Sequence, residues 1–263
     1  MTVKTRIHYA VVTDIGLCRT SNQDAFLASA EIGLYAVADG MGGPPGGDVA
    51  SRTAVTVLFE WAATHNLPAG RHGALPPDRL LREGFRQAQD VILEEVAANP
   101  RLVGMGTTLV AAIIVGSTMT VAHIGDSRAY LYRNDVLRPL TEDHSVVNKA
   151  VRRGLFSRAD ARRDPRRNLL SRVVGCDDSA EPDLATITLH GGDQLLLCTD
   201  GLTGLLDDAD IARCLSRRAA PLDQCRRLVE GALNAGGIDN VTVVLVSKAS
   251  LTDPSHPSSS SSS

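Results

Sequence analysis

Four aspartates close apolar runs in this 263-residue chain: Asp39-Gly40, Asp126-Ser127, Asp200-Gly201 and Asp239-Asn240. A carboxylate at a strand end points out of its sheet. Several strand ends opening on one edge bring such groups into a shared cleft. A glycine beside the acid lets a backbone carbonyl approach as a further ligand. Oxygen-only donors of this kind suit the hard cations Mg²⁺ and Mn²⁺. Ionised carboxylates a few ångströms apart repel strongly, and divalent cations remove that cost. Two such ions about 3.5–4 Å apart share a hydroxide and clamp the attacking and leaving oxygens of a phosphoryl group. A single Asp-Gly pair is more often an ordinary turn; the weight lies in the series.

Other phosphoryl and hydrolytic chemistries lack their residues. No Cys-x5-Arg stretch is present, and Cys18 beside Arg19 has the wrong spacing for a thiol-centred phosphate loop. The seven histidines form no HxxxH or HExxH pattern, which argues against a zinc hydrolase. Gly42-Gly43-Pro44-Pro45-Gly46-Gly47 is glycine-rich, yet no Lys-Ser/Thr follows it as a nucleotide-binding loop requires. A net charge of −3 gives no reason to expect nucleic acid. No stretch approaches the roughly 20 apolar residues needed to span a bilayer, and Met1–Ile7 lacks the apolar run of a secretory signal. Five cysteines, odd in number and without a CxxC pair, fit a reduced, cytoplasmic setting.

The elements that would position the carboxylates are legible as patterns. Short Val/Ile-rich runs bounded by Gly, Asp or Ser predict strands over Ile7–Thr13, Gly33–Ala38, Thr108–Val115, Met119–Ile124, Gln194–Cys198 and Val241–Val246. Apolar stripes at helical spacing predict helices over Asp48–Thr64 and Asp78–Ala97, the second preceded by Pro77. Asp207–Ser216 and Pro221–Ala235 read as further helices, with Gly236-Gly237 after the last. Aromatics are only 3% of the chain, so Val, Leu, Ile and Ala must fill the core. The order is strands, two helices, strands, a helical insert, then a strand, helices and a last strand. That is no regular alternation; it fits an α+β fold of two antiparallel sheets with helices outside them. Asn66–Pro76 is a loop, and the serine-ended stretch 251–263 is expected to be a disordered tail.

Longer blocks surround the aspartates. Asp14-x-Gly16-x-x-Arg19-x-x-Asn22-Gln23-Asp24 resembles the opening signature of the type 2C, metal-dependent (PPM) serine/threonine protein phosphatases. Ala38-Asp39-Gly40-Met41-Gly42-Gly43 resembles its central one. Gly106-Thr107-Thr108, Gly125-Asp126-Ser127-Arg128, Cys198-Thr199-Asp200-Gly201-Leu202 and Asp239-Asn240-Val241-Thr242 follow in the family's order, so the likeness runs from about Tyr9 to Val246.

The resemblance implies an αββα sandwich over residues 1–250, with a flap at about 145–176 beside a cleft holding two Mn²⁺ or Mg²⁺ ions. By position, Asp39 bridges the two ions, the Gly40 carbonyl binds one, Asp200 and Asp239 hold the other, and Asp24 orients water from behind. Bacterial members are similar in taking a third, weaker ion, whose ligand positions Asp126, Asp200 and Asn168 match. Arg19 suits a phosphate clamp, because a guanidinium fork matches phosphate oxygens. The implied activity is hydrolysis of phosphoserine and phosphothreonine in proteins by direct attack of a metal-bridging hydroxide. The implied setting is a monomer opposing a bacterial Ser/Thr kinase, in some relatives within type VI secretion.

Several positions depart from the pattern. Gln23 stands where many relatives have glutamate; Met41, Pro44 and Asp164 stand where histidine is common. These departures motivate an alternative, a catalytically weak or dead phosphoprotein-binding regulator of a kinase or secretion system. His144, in Thr141-Glu142-Asp143-His144-Ser145, reads as a capping or surface histidine. Eight arginines between Val151 and Arg172 read equally as a phosphoprotein-attracting flap surface or as a solvated face paired with Asp160 and Asp164.

Overall fold

The computed structural model describes residues 7–43, 46–65, 75–157, 160, 164–176, 181–217 and 219–249. The 251–263 tail, most of the Asn66–Pro76 loop, Pro44, Arg158, Arg162 and Arg163 lie outside them.

Two antiparallel sheets face each other. The first orders β1 (Ile7–Asp14), β11 (Val241–Lys248), β10 (Gln194–Cys198), β7 (Arg128–Arg133) and β8 (Val136–Pro139) side by side. The second orders β2 (Asp24–Ser29), β3 (Leu34–Met41), β5 (Leu109–Val115), β6 (Thr118–Ile124) and β9 (Asp183–Thr188), with the two-residue β4 (Gly106–Thr107) also paired to β3. Helices α1 (Gly46–His65) and α2 (Pro77–Ala98) cover the second sheet. Past the short α3 (Val146–Arg152) and the one-turn α4 (Asp200–Thr203), α5 (Asp208–Ser216) and α6 (Pro221–Asn234) cover the first.

The layering follows from side-chain alternation. Leu34, Ala36 and Ala38 of β3 pack with α1 and α2, while Tyr35 and Val37 turn to the opposite sheet. In β11, Val243 and Leu245 meet the other helix pair, and Val244 and Val246 meet the facing sheet. Central strands are therefore buried on both faces and read as unbroken apolar runs.

The αββα architecture agrees with the sequence expectation, and all six expected strands are present with ends shifted by a few residues. Five strands were missed: β2, β7, β8 and β9, and the two-residue β4. Of the expected helical insert, the seven residues of α3 and Asp160 are helical among the described residues, and 164–168 run into turns. No helix among the described residues is long and apolar enough to cross a membrane.

Candidate metal centre

The cleft forms where both sheets end side by side. Asp24 opens β2 and lies directly across from Asp39 of β3, so both side chains leave the same face of the second sheet. Asp200 follows β10 immediately, and Asp239 lies two residues before β11. Asp126 sits in the turn from β6 to β7, where the chain crosses from one sheet to the other. All five aspartates are partly exposed, on a cleft floor open to solvent.

Asp24, Asp39 and Asp239 are held by their neighbours. Asp24 Oδ2 accepts from the hydroxyls of Thr199 at 2.9 Å and Thr242 at 2.7 Å. Thr242 has spent its one proton, so its 2.8 Å contact with Thr13 must be donated by Thr13, which in turn accepts from Asn22 Nδ2 at 2.8 Å. That chain of donors converges on Asp24 Oδ2 and favours its ionised form. The backbone N–H of Asp39 donates to Thr108 Oγ1 at 2.9 Å, and its carbonyl accepts from Thr107 Oγ1 and the Thr108 N–H, both at 2.9 Å. Gly106-Thr107-Thr108, in itself an ordinary strand start, is thus the brace of Asp39.

Gly40 lies where a Cβ would run into the carbonyl oxygens of Gly47 and Gln23, so only glycine lets β3 approach the start of α1 this closely. Asn240 ties the loops: its amide donates to the carbonyls of Ile15 at 2.9 Å and Ser21 at 3.0 Å, and its oxygen accepts the Gln23 N–H at 2.8 Å. Gly16, at φ +77°, turns against the Asp239 carbonyl with no room for a side chain. These contacts deliver Arg19, half-exposed, to Asp239 at 2.6 Å.

The carboxylates sit poorly by themselves. Burial, then repulsion from neighbouring aspartates, lifts Asp39 well above the ordinary range and also raises Asp200. For Asp24, burial outweighs the two threonine donors and pushes it to about 7. Asp126 rises to about 8, from burial first and the Asp200 charge second. Asp24 Oδ1 and Asp200 Oδ1 are buried without a hydrogen-bond partner. Orphaned oxygens among repelling carboxylates are what hard divalent cations would satisfy, so these residues fit the expected ions.

Asp126, Asp200 and Asn168 line one cavity of about 460 Å³. A separate group, His123, His144 and Asp183, lies beyond the β6–β7 turn. His144 is neither a surface residue nor a helix cap: it is 8% exposed, and the cap of α3 is Ser145. In the arginine-rich insert, Arg166 pairs with Asp164 and Arg152 with Glu142, the solvated pairing expected of an exposed face.

A cleft of aspartates on the edge of a helix-flanked double sheet defines a class of metal-dependent phosphoric ester hydrolases. Comparison with known proteins makes the assignment: residues 19–235 match protein phosphatase 2C, and the chain belongs to that family. It is 37% identical over 246 residues to the serine/threonine phosphatase stp of Listeria innocua, spanning 92% of this chain and 96% of that one. The S. agalactiae serine/threonine phosphatase superposes with a TM-score of 0.85 at 34% identity, over 92% of this chain and all of the other. The catalytic domain of the phosphatase PstP in complex with two manganese ions gives 0.82 at 34% identity, over 92% and 98% of the two chains.

Proposed function

We propose that this chain hydrolyses phosphoserine and phosphothreonine in proteins, using two Mn²⁺ or Mg²⁺ ions held by Asp39, the Gly40 carbonyl, Asp200 and Asp239. The observation that carries it is the convergence of Asp24, Asp39, Asp200 and Asp239 on one cleft with two orphaned carboxylate oxygens. The ions, when bound, supply Lewis-acid activation of a water and neutralise the phosphoryl charge.

The chain's own groups supply the rest. Asp24 keeps Oδ2 on its two threonines and leaves Oδ1 to accept a hydrogen bond that orients water in the cleft. Arg19, bound to Asp239 through one nitrogen, has exposed N–H groups at the cleft edge for phosphoryl oxygens. Asp126 and Asn168, on the cavity shared with Asp200, would take a third, weaker ion. The reading supplies a partner, a serine/threonine kinase that makes the phosphoproteins, and a cytoplasmic setting in keeping with five unpaired cysteines. The gathering of acidic groups in one cleft supports the active enzyme over a dead regulator.

The test is turnover of p-nitrophenyl phosphate and of a phosphothreonine peptide by metal-free protein, with and without added Mn²⁺. Turnover is expected only with the cation. Asp39→Asn and Asp239→Asn should each lose more than about a hundredfold, beyond what outer partners of a metal cost, with circular dichroism unchanged. Full activity in chelator sinks the reading.

A further inference from the structure

His144 joins the two chain segments that bring Asp126 and Asn168 to the cavity they share with Asp200. Its N–H donates to the Gly125 carbonyl at 2.9 Å, and its ring Nδ1 accepts the Gly125 N–H at 3.1 Å. Both polar backbone groups of the residue before Asp126 are thus pinned by one side chain and its own backbone. On the other side, the His144 carbonyl accepts the Ser171 N–H at 2.8 Å, three residues beyond Asn168. A bridge between Ser145 and Leu170 continues that pairing.

The ring is itself fixed. A backbone N–H can only donate, so Nδ1 carries the lone pair and Nε2 the proton. Nε2 therefore donates to Asp183 Oδ2, at 3.3 Å. Arg172 donates to Asp183 Oδ1 at 2.8 Å and lies 3.0 Å from that ring nitrogen. His123 stacks on the other side, ring centroids 4.5 Å apart, and donates Nε2–H to the Glu142 carbonyl at 2.9 Å. Two histidines and a carboxylate this close resemble a metal cage, with ligand atoms within 4.8 Å of one another. Here both His144 nitrogens are already committed, and the Arg172 guanidinium supplies the positive charge.

We propose that His144 is the positioning residue of a third cation site: it sets Asp126 and Asn168 against Asp200, with Asp183, itself held by Arg172, locking its ring. The proposal rests on the reading of Asp126, Asn168 and Asp200 as ligands of a weaker ion. His144 touches neither ion nor substrate; it acts through the Gly125 backbone and the Ser171 segment.

Calorimetric titration of the metal-free full chain with Mn²⁺ separates tight and weak binding, and Asp126→Ala identifies the weak class as the one it abolishes. His144→Ala should weaken that class about tenfold to a hundredfold, the usual cost of losing an outer partner, and leave the tight class in place. His144→Asn keeps an acceptor oxygen where Nδ1 lies and should restore weak binding, which a purely structural role of the ring would not predict. Asp183→Ala, which removes the acceptor of the ring proton by altering a half-exposed side chain, should weaken the same class and serves if His144→Ala fails to fold.

Weak binding unchanged in His144→Ala or Asp183→Ala, while Asp126→Ala abolishes it, overturns the positioning role alone. So does His144→Asn binding no better than His144→Ala. An Asp126→Ala isotherm identical to that of the unaltered chain overturns the third-site reading itself, and the positioning role with it.

Discussion

At the scale of single residues, Asp24 shows how a carboxylate is tuned by groups that never meet substrate. Its two threonine donors favour the ionised form against burial. Removing one in Thr242→Val should raise the Asp24 pKa, so the acid limb of the pH–rate profile at saturating Mn²⁺ moves to higher pH. At neutral pH, kcat/KM should fall about tenfold. An acid limb that stays put would show that Asp24 ionisation does not limit the rate. Asp39, Asp126, Asp200 and Asp239 were legible in the sequence because each borders an apolar run, and Asp24 through the resemblance of its block to the family's opening signature. The roles of Thr199 and Thr242 were not, because their hydroxyls meet Asp24 only through the pairing of β10 with β11 and the approach of the two sheets. His144 looked like a surface residue for the same reason: what buries it, β9 and the Arg172 segment, lies 28 to 39 residues further along the chain.

At the scale of elements, strand ends carry the chemistry and close approach sets their spacing. Gly40→Ala would push β3 away from the start of α1, where the Gly47 carbonyl stands in the way. Overpacking of this kind costs about 1–3 kcal/mol, readable in a urea melt, and Mn²⁺ affinity should drop with it. An unchanged midpoint would mean that the helix start yields freely. Strands sandwiched between a helix layer and the other sheet announce themselves as Val/Ile runs, which is why β3, β5, β6, β10 and β11 were readable. β2, β8 and β9 lie at sheet edges with mixed residues. β7 hides its strand character in tyrosines: Tyr130 and Tyr132 bury their rings while their hydroxyls reach Asp208 and Asp135.

For the whole molecule, the crowded carboxylates of the cleft couple stability to pH and to metal. Asp24 and Asp126, near 7 and 8 when folded, titrate near 3.9 in an unfolded chain. The folded metal-free chain therefore holds protons that the unfolded one releases. The stability this represents is complete below about pH 4 and is lost as pH rises through 7 to 8. Scanning calorimetry in chelator should show Tm falling between pH 5.5 and 8. Mn²⁺, which binds the folded form, should raise Tm more at pH 8 than at pH 5.5. A metal-free Tm that climbs over that range contradicts the argument.

The link from Asp24 to Thr199 and Thr242 also acts as a rivet, since its two ends belong to opposite sheets. Any sliding of one layer over the other shears it before the hydrophobic filling between them is exposed. Catalysis should therefore fail ahead of global melting, and loss of turnover on gentle heating should be the first sign that the sandwich has begun to slip.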